Sequence, residues 1–67
     1  MTRQQLLLQY PVGSRVELIR MVEDPDPIPP GTQGTVTGAD DLPSLYVRWD
    51  NGRFLDLIPG VDRWRQV

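Results

Sequence analysis

The stretch Val47-Arg48-Trp49-Asp50-Asn51-Gly52-Arg53-Phe54-Leu55-Asp56-Leu57 holds two β-type runs around a turn signal, and the register between them decides the fold. A two-residue Asn51-Gly52 loop pairs Trp49 with Phe54 and Val47 with Asp56, which sets a carboxylate among core residues. A three-residue loop, Asp50-Asn51-Gly52 with Gly52 left-handed in a G1 bulge, pairs Val47 with Leu55 and Leu45 with Leu57. A slip of one residue inverts every side chain, so the apolar pattern selects the second register. That register leaves Trp49 on the dry face opposite Arg53 and gathers Tyr46, Arg48, Phe54 and Asp56 on the other. Arg48 and Asp56 then lie on a diagonal suited to an ion pair.

Outward from this hairpin, Arg15 to Val22 reads as a first strand with Val16, Leu18 and Val22 on one face. Residues 23–31 follow, and four prolines in nine residues remove backbone donors and rule out a helix or a central strand. The segment is a stiff acidic loop, closed by Pro30-Gly31 at the centre of a type II turn. Gly34 to Gly38 is a short β-branched strand, and Ala39 to Ser44 a polar loop before the Leu45–Trp49 strand. After Phe54–Leu57, Pro59-Gly60 turns the chain, Val61 to Arg63 suits a single 3₁₀ turn, and Trp64 to Val67 is a last strand. At the other end, Thr2 and Gln5 have capping-box spacing, so Arg3 to Gln9 predicts two helical turns that Tyr10-Pro11 stop. The expectation is an all-β domain of five short strands over residues 11–67. Residues 1–10 form a helical or extended segment across one open end.

A chain of 67 residues is a single domain, and one of this size buries only about 60% of the surface that its unfolded form exposes. It contains no Cys and no His, so disulfides and the usual structural metal sites are closed to it, and no cofactor is expected. The net charge of −2 lacks the electrostatic footprint of a nucleic-acid binder. All seven basic residues are Arg, which suits carboxylate or phosphate recognition, but the biased codons of a GC-rich genome are the favoured explanation. Leu6-Leu7-Leu8 is too short for a signal peptide or a membrane span. A cytoplasmic protein is expected.

Catalysis has few candidates, because Ser14 and Ser44 have no imidazole or amine to activate them. The carboxylate pairs Asp24 with Asp26 and Asp40 with Asp41 sit in turn-forming loops and match no calcium loop. The chain reads as a non-enzyme without a metal. For binding, the candidates are Glu23, Asp24 and Asp26 on the stiff loop, Tyr46, Arg48 and Phe54 on the amphipathic face, and Trp49 as a half-exposed contact. Trp49 and Trp64 both suit a core position better. Prolines present the carboxylates at low ordering cost, so the favoured partner is a protein with a basic or Arg-containing segment.

Taken together, Tyr10-Pro11-Val12-Gly13-Ser14-Arg15-Val16-Glu17-Leu18, Pro29-Pro30-Gly31-Thr32-Gln33-Gly34-Thr35-Val36, Asp40-Asp41, Trp49-Asp50-Asn51-Gly52 and Pro59-Gly60-Val61-Asp62-Arg63-Trp64 resemble a family of small bacterial, phage and mobile-element proteins of unknown function. The likeness runs from about Tyr10 to Val67. The chain is also similar to SH3-like barrels: the KOW type has glycines where Gly31 and Gly34 stand, and the barrel of mind-bomb and HERC ubiquitin ligases has a comparable Trp-Asp-Asn-Gly hairpin. These resemblances imply a five-stranded SH3-like barrel. They carry over a phage or mobile-element context but no activity and no ligand; the leading expectation is a non-enzymatic protein-binding module, an accessory or inhibitor protein that acts by occupying a host protein. The alternative is a KOW-like barrel that holds nucleic acid through a local Arg patch, which the acidic loop disfavours.

Overall fold

The computed structural model of the chain describes residues 1–22 and 24–67. One short helix, α1 (Arg3–Gln9), precedes four strands, β1 (Arg15–Arg20), β2 (Gln33–Asp40), β3 (Ser44–Trp49) and β4 (Arg63–Gln66). They form one antiparallel sheet in the order β3-β2-β1-β4. The mostly-β expectation holds.

The helix forms where the capping box placed it: Thr2 Oγ1 accepts from Gln5 N–H at 3.2 Å, and Gln5 Oε1 accepts from Thr2 N–H at 2.8 Å. Two turns are marginal alone, so packing must hold them. Leu6 is fully buried in the core, and Arg3 reaches the β2–β3 turn through Asp41 Oδ1 (2.7 Å) and Ala39 O (3.0 Å). The helix is therefore anchored to the core by Leu6, with Leu7 and Tyr10 packed at its margin.

The hairpin adopts the three-residue register. Leu45 pairs with Leu57 and Arg48 with Phe54, Trp49 N–H donates to Arg53 O at 2.8 Å, and Gly52 has a φ of 87°. A β-branched residue at Gly52 is forced into the left-handed region at a cost of about 1–2 kcal/mol. Gly52→Val should therefore melt at lower temperature than the exposed substitution Gln33→Ala, as followed by circular dichroism. Equal melting temperatures would contradict this turn.

The fifth expected strand, Phe54–Leu57, is not a continuous strand but a segment tied to β3 by two isolated bridges. Leu55 N–H makes a long bond of 3.3 Å to Val47 O. Its carbonyl accepts from the Trp49 indole at 2.9 Å instead of completing the pair with Val47. A second departure is at the end of β1. A bulge between Leu18 and Arg20 reverses the facing, so Met21 packs on the core, and Val22, expected inside, is 51% exposed. The expected 3₁₀ turn is a hydrogen-bonded turn in which Val61 and Asp62 N–H both donate to Ile58 O. Gly60, with a φ of 85°, precludes a helical run there.

The core is Leu6, Val16, Leu18, Ile28, Val36, Ala39, Leu45, Val47, Trp49 and Leu57. Ile28 comes from the proline-rich loop. That loop is pinned to β1 by Gly31 N–H to Leu18 O (2.8 Å) and Leu18 N–H to Thr32 O (2.9 Å). Pro30-Gly31 forms the expected turn, with Thr32 N–H on Pro29 O at 3.2 Å and a φ of 88° at Gly31.

Candidate functional site

The outer face of the hairpin carries the expected side chains, but not as one patch. Phe54 is 72% exposed and Arg48 is exposed. Tyr46 is half-buried and donates its hydroxyl to Asp40 Oδ2 at 2.8 Å. This bond, with burial, raises the Tyr46 hydroxyl pKa. Asp40 is held below its ordinary value chiefly by the Leu42 N–H, with Tyr46 adding to the effect. The expected Arg48–Asp56 ion pair is absent among the described residues. Arg48 stands in register with Phe54 and helps to hold the Asp50 carboxylate low, behind the larger effect of Arg15. Asp56 is left without a cation: burial, and then the nearby Asp40 charge, push its pKa up.

Trp49 is a correction. At 1% exposure it belongs to the core, where its indole is spent on Leu55 O, so it cannot touch a ligand. Such a large ring on the dry face is what closes so small a domain.

Of the acidic loop, Glu23 lies outside the described residues. Asp24 Oδ1 accepts from Asp26 N–H at 2.8 Å, an Asx-type turn. Asp26 is 3.6 Å from Arg53 Nη2 with its side chain 87% exposed. An ion pair so exposed adds little stability, yet it brings the loop to the hairpin turn. Asp24 lines a hollow of about 160 Å³ with Met21, Asp56, Ile58, Val61 and Asp62. Asp62 is buried and committed, its Oδ2 accepting from Ile58 N–H at 2.9 Å. Asp24 and Asp56 are not so committed to a cation: two carboxylates flank an apolar floor. The sequence did not show that they meet, because they are 32 positions apart and joined only by the packing of the loop on the return segment.

At the β1–β4 side lies a second concavity that the sequence did not reveal. Tyr10 and Trp64, near opposite ends of the chain, stack at 5.7 Å between ring centroids and 57° between planes. Three of the arginines are engaged elsewhere: Arg15 with Asp50 at 2.5 Å, Arg65 with Glu17 at 3.1 Å, and Arg53 with Asp26. Among the described residues, no three His, Cys, Asp or Glu side chains come together as metal ligands. No helix is long and apolar enough to cross a membrane.

A family model, the domain of unknown function DUF4314, matches residues 2–67. The match includes α1, which the resemblance seen in the sequence left out. No curated protein and no solved structure matches the chain.

Proposed function

We propose, on the premise that the chain belongs to the DUF4314 family, that it is a non-enzymatic protein-binding module that takes a basic, arginine-bearing segment at the Asp24–Asp56 hollow. One observation carries this reading: Asp24 and Asp56 flank a floor of Met21, Ile58 and Val61 and meet no cation among the described residues. An arginine matches that arrangement, with its methylene stem on the apolar floor and its planar fork on the carboxylates. Asp56 adds support, since a carboxylate disfavoured by burial and by a neighbouring anion is relieved by a bound cation. The proline-rich loop, anchored by Ile28, holds Asp24 in place at little ordering cost.

The same proposal reads the four strands and the bridged 54–57 segment as an SH3-like barrel whose fifth strand is reduced to two contacts. In such barrels the loop after the first strand flanks the ligand groove, which is where Asp24 stands. An accessory or inhibitory role for a phage or mobile element, in the bacterial cytoplasm, rests on the resemblance in the sequence alone.

Asp24→Arg combined with Asp56→Asn tests the hollow. Asp24 is chosen over Asp26 because reversing Asp26 sets a second guanidinium beside Arg53 and confounds the result. With folding verified by circular dichroism, the double variant should bind an arginine-rich partner about ten- to a hundredfold more weakly, the scale of a lost charge-assisted pair. Unchanged affinity by calorimetry would remove the hollow from the interface.

The runner-up, nucleic-acid binding through an arginine patch, is favoured by one observation, that Arg20 and Arg63 stand opposite each other on β1 and β4. Two guanidinium groups are few beside the roughly six to ten phosphate contacts of a typical DNA binder. Retention of single-stranded RNA or duplex DNA at low salt would support this alternative, and none is expected.

A further inference from the structure

The bulge after Leu18 sets Arg20 across from Arg63, so two arginines occupy paired positions on adjacent strands. Like charges in that position repel. Farther along the same strands, beyond the Leu18–Trp64 pair, Glu17 and Arg65 form an ion pair at 3.1 Å. Neither Arg20 nor Arg63 meets a carboxylate among the described residues. Beside them opens a groove of about 400 Å³ walled by Tyr10, Ile19, Pro59, Arg63 and Trp64. The Trp64 Nε1 is shielded from solvent and has no acceptor among the described residues. A buried donor without a partner keeps its full desolvation cost, and a small shift of the ring that brings it to a ligand oxygen would relieve that cost. Asp62 and Met1 also line the groove, and the Asp62 Oδ2 is engaged by Ile58 N–H.

Arg20 and Arg63 line one hollow of about 590 Å³ with Val22, Gly60, Val61 and Asp62, and it adjoins the aromatic groove through Gly60, Asp62 and Arg63, which line both. We propose that these two adjoining hollows together dock one segment of a partner protein carrying two carboxylates around a bulky apolar residue. The carboxylates lie on Arg20 and Arg63, and the apolar side chain lies against Tyr10 and Trp64. A carboxylate suits the planar guanidinium fork, and the aromatic walls supply the contact area that charge alone lacks. A polyanion is disfavoured by the net charge of −2. The surface differs from the Asp24–Asp56 hollow and takes the opposite charge, so one can fail while the other stands.

The two indole N–H groups give a direct readout, because Trp49 Nε1 is already bonded to Leu55 O and serves as the internal control. The ¹⁵N-labelled chain is titrated with acetyl-Asp-Leu-Asp-amide and with its neutral twin acetyl-Asn-Leu-Asn-amide. The acidic peptide should move the Trp64 indole resonance saturably, leave that of Trp49 in place, and bind about tenfold tighter than the neutral one, the scale of a charge-assisted pair. Arg20→Gln with Arg63→Gln relieves a repulsion and keeps the fold, and it should abolish the difference between the peptides. Trp64→Phe, which keeps the aromatic wall but not the donor, should weaken acidic-peptide binding without removing it. Equal responses to both peptides, no response at Trp64, or a response that survives the double substitution would overturn the proposal. So would a Trp64 shift that tracks protein concentration without peptide, which would give the groove to a second copy of the chain.

Discussion

Trp49→Ala should remove about 3–5 kcal/mol of stability, the largest loss expected from truncating one core side chain. Trp49 is the largest fully buried side chain, and its removal opens a cavity among Val47, Leu57 and their neighbours. Truncating a buried aromatic costs about 3–5 kcal/mol, against a total stability of about 3–10 kcal/mol for a domain of this length. The same ring also holds the return segment through its bond to Leu55 O. Trp49→Phe separates the two roles, since it retains most of the volume and loses only the donor, and it should cost about 1–3 kcal/mol. Urea titrations followed by circular dichroism would measure both. A Trp49→Ala variant as stable as the wild type would mean that Trp49 is not the centre of the core.

Gly34→Val should fail to fold, and even Gly34→Ala should be destabilised by about 1–3 kcal/mol, as expected of overpacking. A Cβ at Gly34 would lie 2.6 Å from Val47 Cγ1, 2.9 Å from Trp49 Cε3 and 3.0 Å from Arg48 O. The carbonyl cannot yield without opening the β2–β3 ladder, and the two side chains cannot yield without disturbing the core. A loss of this size shifts the melting temperature of so small a domain by about 4–8 °C per kcal/mol. An alanine variant melting with the wild type would contradict the close approach of β2 to β3.

What the sequence carried was whatever a local pattern constrains. The register of the hairpin follows from one choice, whether Leu55 or Asp56 faces Val47, and the Leu45–Leu57 bridge agrees with it. The ends of α1 follow from Thr2, Gln5 and Pro11. Elements that depend on distant packing were not legible. Ile28, placed among prolines, looked like part of a solvated loop, yet it is in the core because the loop folds back onto β1. The bulge after Leu18 has no residue signature, so Val22 was assigned the wrong face. The candidate site divided in the same way. Phe54 is exposed on the outer face of the hairpin and Asp24 is half-buried beside its hollow, whereas Trp49 lies in the core. The meetings of Asp24 with Asp56 and of Tyr10 with Trp64 arise only once the return segment and β4 are in place.

The central claim is that the Asp24–Asp56 hollow receives an arginine, and a titration of the ¹⁵N-labelled chain with acetyl-Arg-Leu-Arg-amide tests it most directly. The account predicts saturable backbone shifts concentrated at Met21, Asp24, Asp56, Ile58 and Val61, weakened by added salt as screening shortens the reach of the carboxylates, and absent in the Asp24→Arg, Asp56→Asn variant. No shifts at those residues, or equal shifts in that variant, would contradict it.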